Sequence, residues 1–367
     1  MRLTLIISSL RAGGAERVMT AIANYWAANN WEITILTLDD GTCPPFFKLH
    51  PHISHQPLKI AGDAKSVLGG LRNNLRRINV LRRAVAETKP ECVVSFTDQT
   101  NVLTLIATKS LNIPTVVEEH IDVASNPLPA IWRLMRRVVY RRAAKIVVLT
   151  DRARIGLAPA LQSRAVVISN PVQAPEVREF PRSSRTSRTI VSIGRLVHQK
   201  GFDILLRAFA INSPHHPEWN LTIIGEGPLR AELESLINSL GLEGRVKLLG
   251  QVINVDDYLG HADLFVLASR FEGFPMALCE ALAIGLPVVA MDCPTGPREI
   301  IRDGIDGVLV PNEDVDALAA AMDRLMKDLG ERQRLACRGP EIIERFGVQR
   351  VMPMWDELLA EVVQQKQ

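Results

Sequence analysis

The sequence lacks long apolar runs and paired cysteines. No apolar run reaches about 18 residues, and Arg2 leads at once into the strand-like Leu3–Ile7, so we expect neither a membrane span nor a signal peptide. Five cysteines stand at wide spacings without a C-x-x-C pair, which indicates reduced, mostly buried thiols in a cytosol. With 367 residues, 47% of them hydrophobic and 23% charged, the chain is long enough for two globular domains.

Acidic residues are scarce in parts of the first half. Residues 1–182 carry 24 Lys and Arg against 14 Asp and Glu, a net charge of +10, whereas residues 183–367 carry 19 against 26, a net charge of −7. Segments 65–83 and 133–145 hold 12 of those 24 cations and no acidic residue. This asymmetry predicts that the first half contacts an anionic ligand or surface.

Short apolar runs alternate with segments long enough for helices. The predicted strands are Leu3–Ile7, Ile33–Leu38, Cys92–Phe96, Thr115–Glu118, Ile146–Leu149, Val166–Ile168, Thr189–Ile193, Leu221–Ile224, Val246–Leu248, Leu264–Leu267, Val288–Met291 and Val308–Val310. The alternation predicts an α/β fold of two tandem Rossmann-like, doubly wound domains that face a cleft. We predict a first domain over 1–171, a linker over 172–188, a second domain over 189–345, and a C-terminal helix over 346–367 that could cross back to the first domain.

Two glutamates flank the start of a predicted helix in the second half. The run Leu264–Ala268 predicts a buried parallel strand, and Pro275 with the apolar residues after it predicts a helix. We therefore expect Glu272 on the loop at the strand's carboxyl end, where ligands enter such sheets, and Glu280 about two turns into the helix. Gly273 lets the backbone approach a ligand, and the first helical amides form an anion site.

A second loop in this half carries cations. Arg195 and Lys200 precede the predicted helix Phe202–Ala210, so two cations and a helix N-terminus could converge on a diphosphate. The order Lys-Gly excludes a Walker A loop. Gly225, in a Gly-Glu-Gly-Pro stretch after the next strand, offers a further close approach of the backbone.

Three positions in the first half also follow predicted strands. Gly13 and Gly14 open a helix and let amides approach a ligand, although their spacing is not a dinucleotide fingerprint. His120 ends the Glu-Glu-His stretch after a strand, so we expect its imidazole to point at the inter-domain cleft.

Each of these motifs has a purely structural alternative. Ser269 and Glu272 could form a capping box, and Glu280 could be a solvated or salt-bridged helix residue. The cations of the second loop could be surface charges, and His120 could be a polar residue whose hydrogen bonds are satisfied within the fold. The short patterns leave these alternatives open when each is taken alone.

The two basic segments have an amphipathic pattern. Helices this basic and free of acidic residues predict contact with anionic lipid or a lipid-linked diphosphate, although such an apolar stripe is often simply a core-facing one. Aromatic residues are scarce nearby, which argues against nucleic acid. The candidate basic patch consists of Arg72, Arg76, Arg77, Arg82, Arg83, Arg133, Arg136 and Arg137.

Taken together, these motifs resemble the retaining glycosyltransferases of family 4, which have the GT-B fold. The resemblance covers nearly the whole chain and looks closest to members that extend polyprenyl-diphosphate-linked glycans in bacterial polysaccharide or glycoprotein assembly. It rests on Gly13-Gly14, His120, Gly194-Arg-Leu, Lys200-Gly, Gly225-Glu-Gly-Pro, Glu272-Gly-Phe-Pro, Glu280-Ala and Gly285-Leu-Pro-Val. Thr295-Gly296 departs from the Gly-Gly of many members.

The resemblance implies a role for each matching position. Arg195 and Lys200 would bind the donor diphosphate, Glu280 the ribose hydroxyls and Glu272 the transferred sugar. Further donor contacts fall on Gly194, Gly225, Gly273, Phe274 and Pro275, while His120 would meet the sugar and Gly13-Gly14 would line the acceptor and phosphate region.

The function expected from this resemblance is transfer of a hexose or N-acetylhexosamine from a nucleotide sugar to a lipid-diphosphate-linked glycan. The donor is expected to be UDP-linked (GalNAc, GlcNAc, Gal or Glc), with retention through attack on the face that the diphosphate leaves. No cofactor or metal is expected, because fixed cations can stabilise the leaving phosphate, and the D-x-D stretch Asp314-Val-Asp316 falls where a surface helix begins. We expect a cytoplasmic protein, peripheral on the inner face of the cytoplasmic membrane. An epimerase, a phosphorylase and a non-catalytic nucleotide-sugar-binding module are the alternatives.

Overall fold

The chain folds into two compact units. A computed structural model describes residues 1–61, 67–120, 130–175 and 188–365, with all their side chains except those of residues 67–72 and 130–131. Unit 1 contains Met1–Pro171 and Val351–Gln367, and unit 2 contains Val172–Arg350. The boundary near the C-terminus thus follows Arg350, inside the segment 346–367 that the sequence predicts as one helix.

Unit 1 is a parallel sheet flanked by helices. Its strands are β1 (Arg2–Ile7), β2 (Glu32–Thr37), β3 (Ser54–Pro57), β4 (Cys92–Phe96), β5 (Thr115–Glu119), β6 (Lys145–Val148) and β7 (Ala165–Val167), and its helices are α1 (Gly14–Ala28), α2 (Val67–Thr88), α3 (Asp98–Thr108), α4 (Ala130–Val139), α5 (Asp151–Gly156) and α6 (Pro159–Gln162). The strand order is β3-β2-β1-β4-β5-β6-β7. The central strands β4 and β5 are buried along their whole length, because helices cover both faces of such a sheet.

Unit 2 repeats this architecture. Its strands are β8 (Arg188–Ile193), β9 (Trp219–Ile224), β10 (Val246–Leu248), β11 (Leu264–Leu267), β12 (Val288–Asp292) and β13 (Val308–Pro311), and its helices are α7 (Phe202–Asn212), α8 (Arg230–Ser239), α9 (Val255–His261), α10 (Met276–Ala283), α11 (Pro297–Ile300), α12 (Val315–Lys327), α13 (Leu329–Ala336) and α14 (Ile342–Phe346). The strand order is β10-β9-β8-β11-β12-β13, and neighbouring strands run parallel.

The last helix packs within unit 1 over most of its length. This helix, α15 (Val348–Gln364), places Trp355 against the edge of the Trp26 ring at a centroid distance of 6.0 Å. Trp26 Nε1 also donates a hydrogen bond of 2.8 Å to Asp356. Lys145 at the start of β6 pairs with Glu361 at 2.8 Å.

The predicted fold class is confirmed, since each strand predicted from the sequence overlaps an observed one. Strand β3 was not predicted. Its sequence Ser-His-Gln-Pro has no apolar pattern, and it lies at the sheet edge, where a proline is tolerated.

The five cysteines are free thiols, and three of them are buried. Among the described residues, every helix is too short or too polar to cross a lipid bilayer.

Candidate active site

The sheet of unit 2 reverses its strand order between two neighbouring strands. From β8 the chain continues to β9 and β10 on one side, whereas β11, β12 and β13 follow on the other. Because β8 and β11 pair in parallel, the loops at their carboxyl ends, residues 194–201 and 268–275, leave the same sheet edge side by side. Doubly wound folds bind ligands at such a switch point.

Arg270 joins these two loops. Its guanidinium donates two hydrogen bonds to the carboxylate of Asp203, at 2.8 and 2.7 Å, and a third to the carbonyl of His198 at 2.8 Å. The Arg270 amide donates to the carbonyl of Gln199, whose side-chain amide returns a bond to Phe271. Paired, charge-assisted bonds fix geometry well, so the two loops hold each other in place.

Lys200 and Glu272 meet where the loops converge. Lys200 Nζ lies 2.5 Å from Glu272 Oε1, and Ser269 Oγ donates to the same oxygen at 2.6 Å. The Glu272 carboxylate is almost fully buried, with 6% of its side chain exposed. Helix α10 begins only at Met276, so Ser269 and Glu272 do not form a capping box. Their hydrogen bond instead orients a buried carboxylate beside a cation.

The loop after β12 closes on the loop that carries Glu272. Thr295 is buried, and its hydroxyl donates to the carbonyl of Glu272. Gly296 has a φ of +95°, and a Cβ there would stand 2.8 Å from Pro275 and 3.0 Å from the Gly273 carbonyl, so this contact requires glycine. The sequence did not predict that Thr295 positions the Glu272 loop, because the two residues are 23 positions apart.

Two backbone amides at this sheet edge lack a hydrogen-bond acceptor within the described part of the protein. In the part of the chain that the structure describes, the N–H groups of Gly273 and Phe274 donate to no protein acceptor. The Phe274 ring is buried against Phe346 at a centroid distance of 5.2 Å, which fixes the backbone ahead of α10. Both amides precede Pro275, the N-cap of α10, and backbone N–H groups without a protein acceptor can bind an anion.

Glycines bring the loops after β8 and β9 into backbone contact. Gly225 has a φ of +146°, and a Cβ there would overlap the carbonyl of Gly194. A Cβ at Gly194 would in turn stand 3.1 Å from the Lys200 side chain. Arg195 follows with its side chain exposed. The structure therefore brings Gly194, Gly225, Lys200 and Glu272 to one sheet edge, with Arg195 on the same loop as Lys200.

Glu280 is a buried residue of α10 and does not lie on its solvent-exposed face. It is the fifth residue of the helix, about one turn in rather than the two turns predicted, and 9% of the residue is exposed. The alternative of a solvated surface carboxylate therefore does not apply.

Asp314 caps α12 by accepting a hydrogen bond from the Ala317 amide, as expected for the start of a surface helix.

In unit 1, His120 directly follows β5. Its ring stacks on Phe96 at a centroid distance of 5.7 Å, and its Nε2 lies 3.3 Å from Glu118 Oε1. Burial lowers the pKa of His120 to about 4 and raises the pKa of Glu118 to about 8, so both groups are uncharged near pH 7. Gly14 begins α1 with open space where a Cβ would stand.

The predicted basic patch needs one correction. Arg136 is buried, with its Nε 3.2 Å from Glu119 Oε1 and its guanidinium over the ring of Tyr140. Tyr140 donates to Glu119 in turn. Arg136 is thus an internal residue and not part of a surface patch, because its long side chain reaches the Glu119 carboxyl group on β5 instead of solvent.

The other predicted members of the patch differ in exposure. Arg77 and Arg82 are half-buried, and they donate to the carbonyls of Ile60 and Ala107. The side chain of Arg72 lies outside the described residues. Exposed members are Arg76, Arg83, Arg133 and Arg137.

Two surface pockets lie away from these loops. One, of about 240 Å³, is formed by α8 and β10 around Arg230 and Asn238. The other, of about 390 Å³, lies in unit 1 between the end of α3 and the start of β5, with Lys109 and Arg142 on its rim. The candidate site is therefore defined by its converging loops and not by either of these pockets.

Two family models divide the chain in the same way as the structure. The "Glycosyl transferase 4-like domain" matches residues 13–171, and "Glycosyl transferases group 1" matches residues 173–341. The fold and these matches define a glycosyltransferase of the GT-B fold. The chain belongs to the group 1 glycosyltransferases with a glycosyltransferase 4-like N-terminal domain.

Relatives similar to this chain extend over its full length. It is 29% identical over 363 residues to an alpha-1,4-N-acetyl-D-galactosaminyltransferase of Campylobacter jejuni, and the match covers 99% of each chain. The full name of that enzyme includes the lipid-linked glycan GalNAc-alpha-(1->4)-GalNAc-alpha-(1->3)-diNAcBac-PP-undecaprenol. It is 25% identical to the amylovoran biosynthesis glycosyltransferase AmsD of Erwinia amylovora, over 97% of this chain and 99% of the relative. The structure of Anabaena HepE with UDP-glucose has the same fold, with a TM-score of 0.82, 21% identity and coverage of 98% and 100%.

Proposed function

We propose that this glycosyltransferase moves a hexose or N-acetylhexosamine from a UDP-sugar to a glycan carried on a lipid diphosphate, with retention and without a metal ion. The main observation behind this proposal is that Lys200 pairs with Glu272 at the switch point of the sheet. The backbone amides of Gly273 and Phe274, which have no protein acceptor among the described residues, follow Glu272 directly. The lipid-diphosphate-linked glycan in the name of the Campylobacter relative and the UDP-glucose bound to HepE support it.

The donor diphosphate binds to the loop after β8. Lys200 and Arg195 supply positive charge, and the close backbone contact between Gly194 and Gly225 keeps this loop against the next one. Glu272 neutralises Lys200 until the donor enters. Its carboxylate then accepts a hydroxyl of the sugar, while Lys200 turns to the diphosphate. Glu280 receives the ribose hydroxyls.

Fixed groups take the place of a metal ion in this proposal. Cleavage of the bond between the sugar and the diphosphate puts negative charge on the leaving phosphate. Arg195, the amides of Gly273 and Phe274, and Lys200 once it has turned from Glu272 to the diphosphate then stabilise that charge. Losing one such donor typically lowers the rate by about 10²–10³.

The acceptor hydroxyl attacks from the face that the diphosphate leaves, which retains the configuration at the anomeric carbon. The bond from the anomeric carbon to the phosphate oxygen breaks, the bond to the acceptor oxygen forms, and the acceptor proton passes to the leaving phosphate. His120 contacts the transferred sugar, and Gly13 and Gly14 line the acceptor and phosphate region. These roles follow from the family resemblance.

Helix α4 supports a peripheral position on the inner face of the cytoplasmic membrane. Leu134 and Val138 are 60% and 57% exposed, and their spacing puts them on one face of the helix. Arg133 and Arg137 flank them and are exposed. Apolar side chains between cations suit the boundary between acyl chains and anionic headgroups.

A transfer assay tests the main proposal. Radiolabelled UDP-sugars and a polyprenyl-diphosphate-linked glycan should give label in the lipid fraction, and excess EDTA should not reduce it. Glu272→Gln should lower kcat by about 10² or more, because it removes the carboxylate that meets the sugar. Glu232→Gln, at an exposed position on α8, is the matched control and should leave kcat unchanged.

Four outcomes would contradict the proposal. Strict dependence on a divalent ion would refute the role of the fixed cations. Conversion of the sugar nucleotide without an acceptor would indicate an epimerase, and sugar release that depends on inorganic phosphate would indicate a phosphorylase. Binding of UDP with no turnover on any acceptor would point to a non-catalytic module.

A further inference from the structure

Glu118 is a buried carboxyl group that the proposed reaction does not use. Only 1% of the residue is exposed, and burying a carboxyl group costs free energy unless a partner compensates for it. Side chains alternate along a strand, so Glu118 and His120 share one face of the sheet. Glu119 faces the other way, towards Arg136 and Tyr140.

We propose that Glu118 is a positioning residue that keeps the His120 imidazole in one tautomer, with the ring proton on Nδ1. Glu118 Oε1 lies 3.3 Å from His120 Nε2, and within the described part of the chain this nitrogen and Glu118 Oε2 are buried without a hydrogen-bond partner. A protonated Glu118 donates its O–H to the Nε2 lone pair. The ring's own N–H is then on Nδ1 and can be donated to an oxygen atom of a ligand. That last step rests on the proposed function, whereas the tautomer itself does not.

The surroundings of the ring restrict it further. The Phe96 ring stacks against the imidazole with an interplanar angle of 28°, and Phe96 is the register partner of Glu118 on the neighbouring strand. Thr97 follows with a φ of +73°, an unusual and costly conformation for a β-branched residue. Strained backbone next to a constrained ring is typical of a functional site.

The charge state of the pair agrees with this geometry. Among the described residues, Glu118 has no ion pair with Lys or Arg, and Arg136 contacts Glu119, which faces the other way. Burial without a cation raises the pKa of Glu118 to about 8, so the carboxyl group keeps its proton at pH 7. His120 is uncharged there and therefore offers one nitrogen as acceptor and one as donor.

Nitrogen NMR of the imidazole tests the proposal without any substrate. Long-range ¹H–¹⁵N correlation spectra of the ¹⁵N-labelled full chain at pH 7 distinguish a protonated ring nitrogen from an unprotonated one. The His120→Asn variant assigns the signals of His120. We expect a single neutral tautomer with the proton on Nδ1. A proton on Nε2, or a charged ring, would overturn the proposal.

Two variants then test whether Glu118 is the cause. Glu118→Gln should preserve the tautomer, because its amide N–H can donate to Nε2. Glu118→Leu has similar volume and no donor, so both tautomers should appear and kcat/KM should fall about tenfold or more. Unchanged His120 signals in a folded Glu118→Leu protein would refute the role. If Glu118→Leu does not fold, the wild-type spectrum still tests the tautomer, and a change of tautomer in Glu118→Gln would refute the role of Glu118. A correct spectrum in a protein that transfers no sugar would count against the proposed function alone.

Discussion

At the residue scale, two adjacent arginines of α4 have opposite environments. Arg136 is buried against Glu119 and Tyr140, whereas the side chain of Arg137 is exposed. Burial raises the pKa of Glu119 to about 8, although the charge of Arg136 opposes this shift. The buried pair therefore leaves a poorly solvated carboxyl group behind if Arg136 is removed.

Methionine at each position tests this difference. Arg136→Met should lower the free energy of unfolding by about 1–3 kcal/mol, because it leaves the buried Glu119 carboxyl group without the guanidinium that it faces. Arg137→Met should change it by less than about 0.5 kcal/mol. Urea unfolding followed by circular dichroism measures both values. Small and equal decreases of the unfolding free energy in both variants would mean that the contact between Arg136 and Glu119 contributes nothing to stability.

The residue scale is also where sequence reasoning is weakest. Both arginines belong to the same basic segment, and only the distant Glu119 and Tyr140 separate their roles. In the same way, the pattern around Glu272 predicts a loop carboxylate at a sheet edge, but its partner Lys200 lies 72 residues away. Local patterns carry information about periodicity and turns, and not about which side chains meet.

At the scale of elements, prediction from the sequence works where burial is uniform. Strands such as β4 and β11 are covered on both faces and appear as short apolar runs between turns. Edge strand β3 has no such run and was missed. The start of α10 was close to its predicted place, because Pro275 precedes its first residue.

Helix α4 yields a prediction about membrane binding. Leu134→Ser combined with Val138→Ser should reduce the partition coefficient on anionic vesicles by about tenfold or more, because apolar area that inserts between headgroups is lost. Flotation on phosphatidylcholine vesicles with and without phosphatidylglycerol measures this. Ile253→Ser combined with Ile305→Ser, at exposed apolar positions of unit 2, is the matched control.

Two results would count against the membrane contact. Equal flotation on neutral and anionic vesicles would remove the electrostatic part of the proposal. Equal loss in both double variants would mean that α4 has no special role and that general surface hydrophobicity explains the binding.

At the scale of the whole molecule, each unit is a complete doubly wound domain with its own parallel sheet. The alternation of strands and helices is enough to predict this, because it is repeated on either side of the segment around residue 180. The route of α15 into unit 1 depends on Trp355 and Asp356 meeting Trp26, a contact across more than half the chain that no local pattern contains.

The central claim for the molecule is that fixed positive groups of unit 2 hold the diphosphate of a nucleotide sugar without a metal ion. Lys200 and Arg195 stand on the loop after β8, at the switch point of the sheet, and Lys200 already pairs with a buried carboxylate. Arg207, exposed on α7 in the same unit, offers a matched cation outside these loops.

Calorimetric titration of UDP into the full chain in the presence of EDTA tests this claim most directly. We expect saturable binding, a Kd raised about tenfold or more in Lys200→Met and in Arg195→Met, corresponding to about 1.4 kcal/mol each, and no change in Arg207→Gln. Binding that appears only after Mg²⁺ is added, or that is equal in all three variants, would contradict the account.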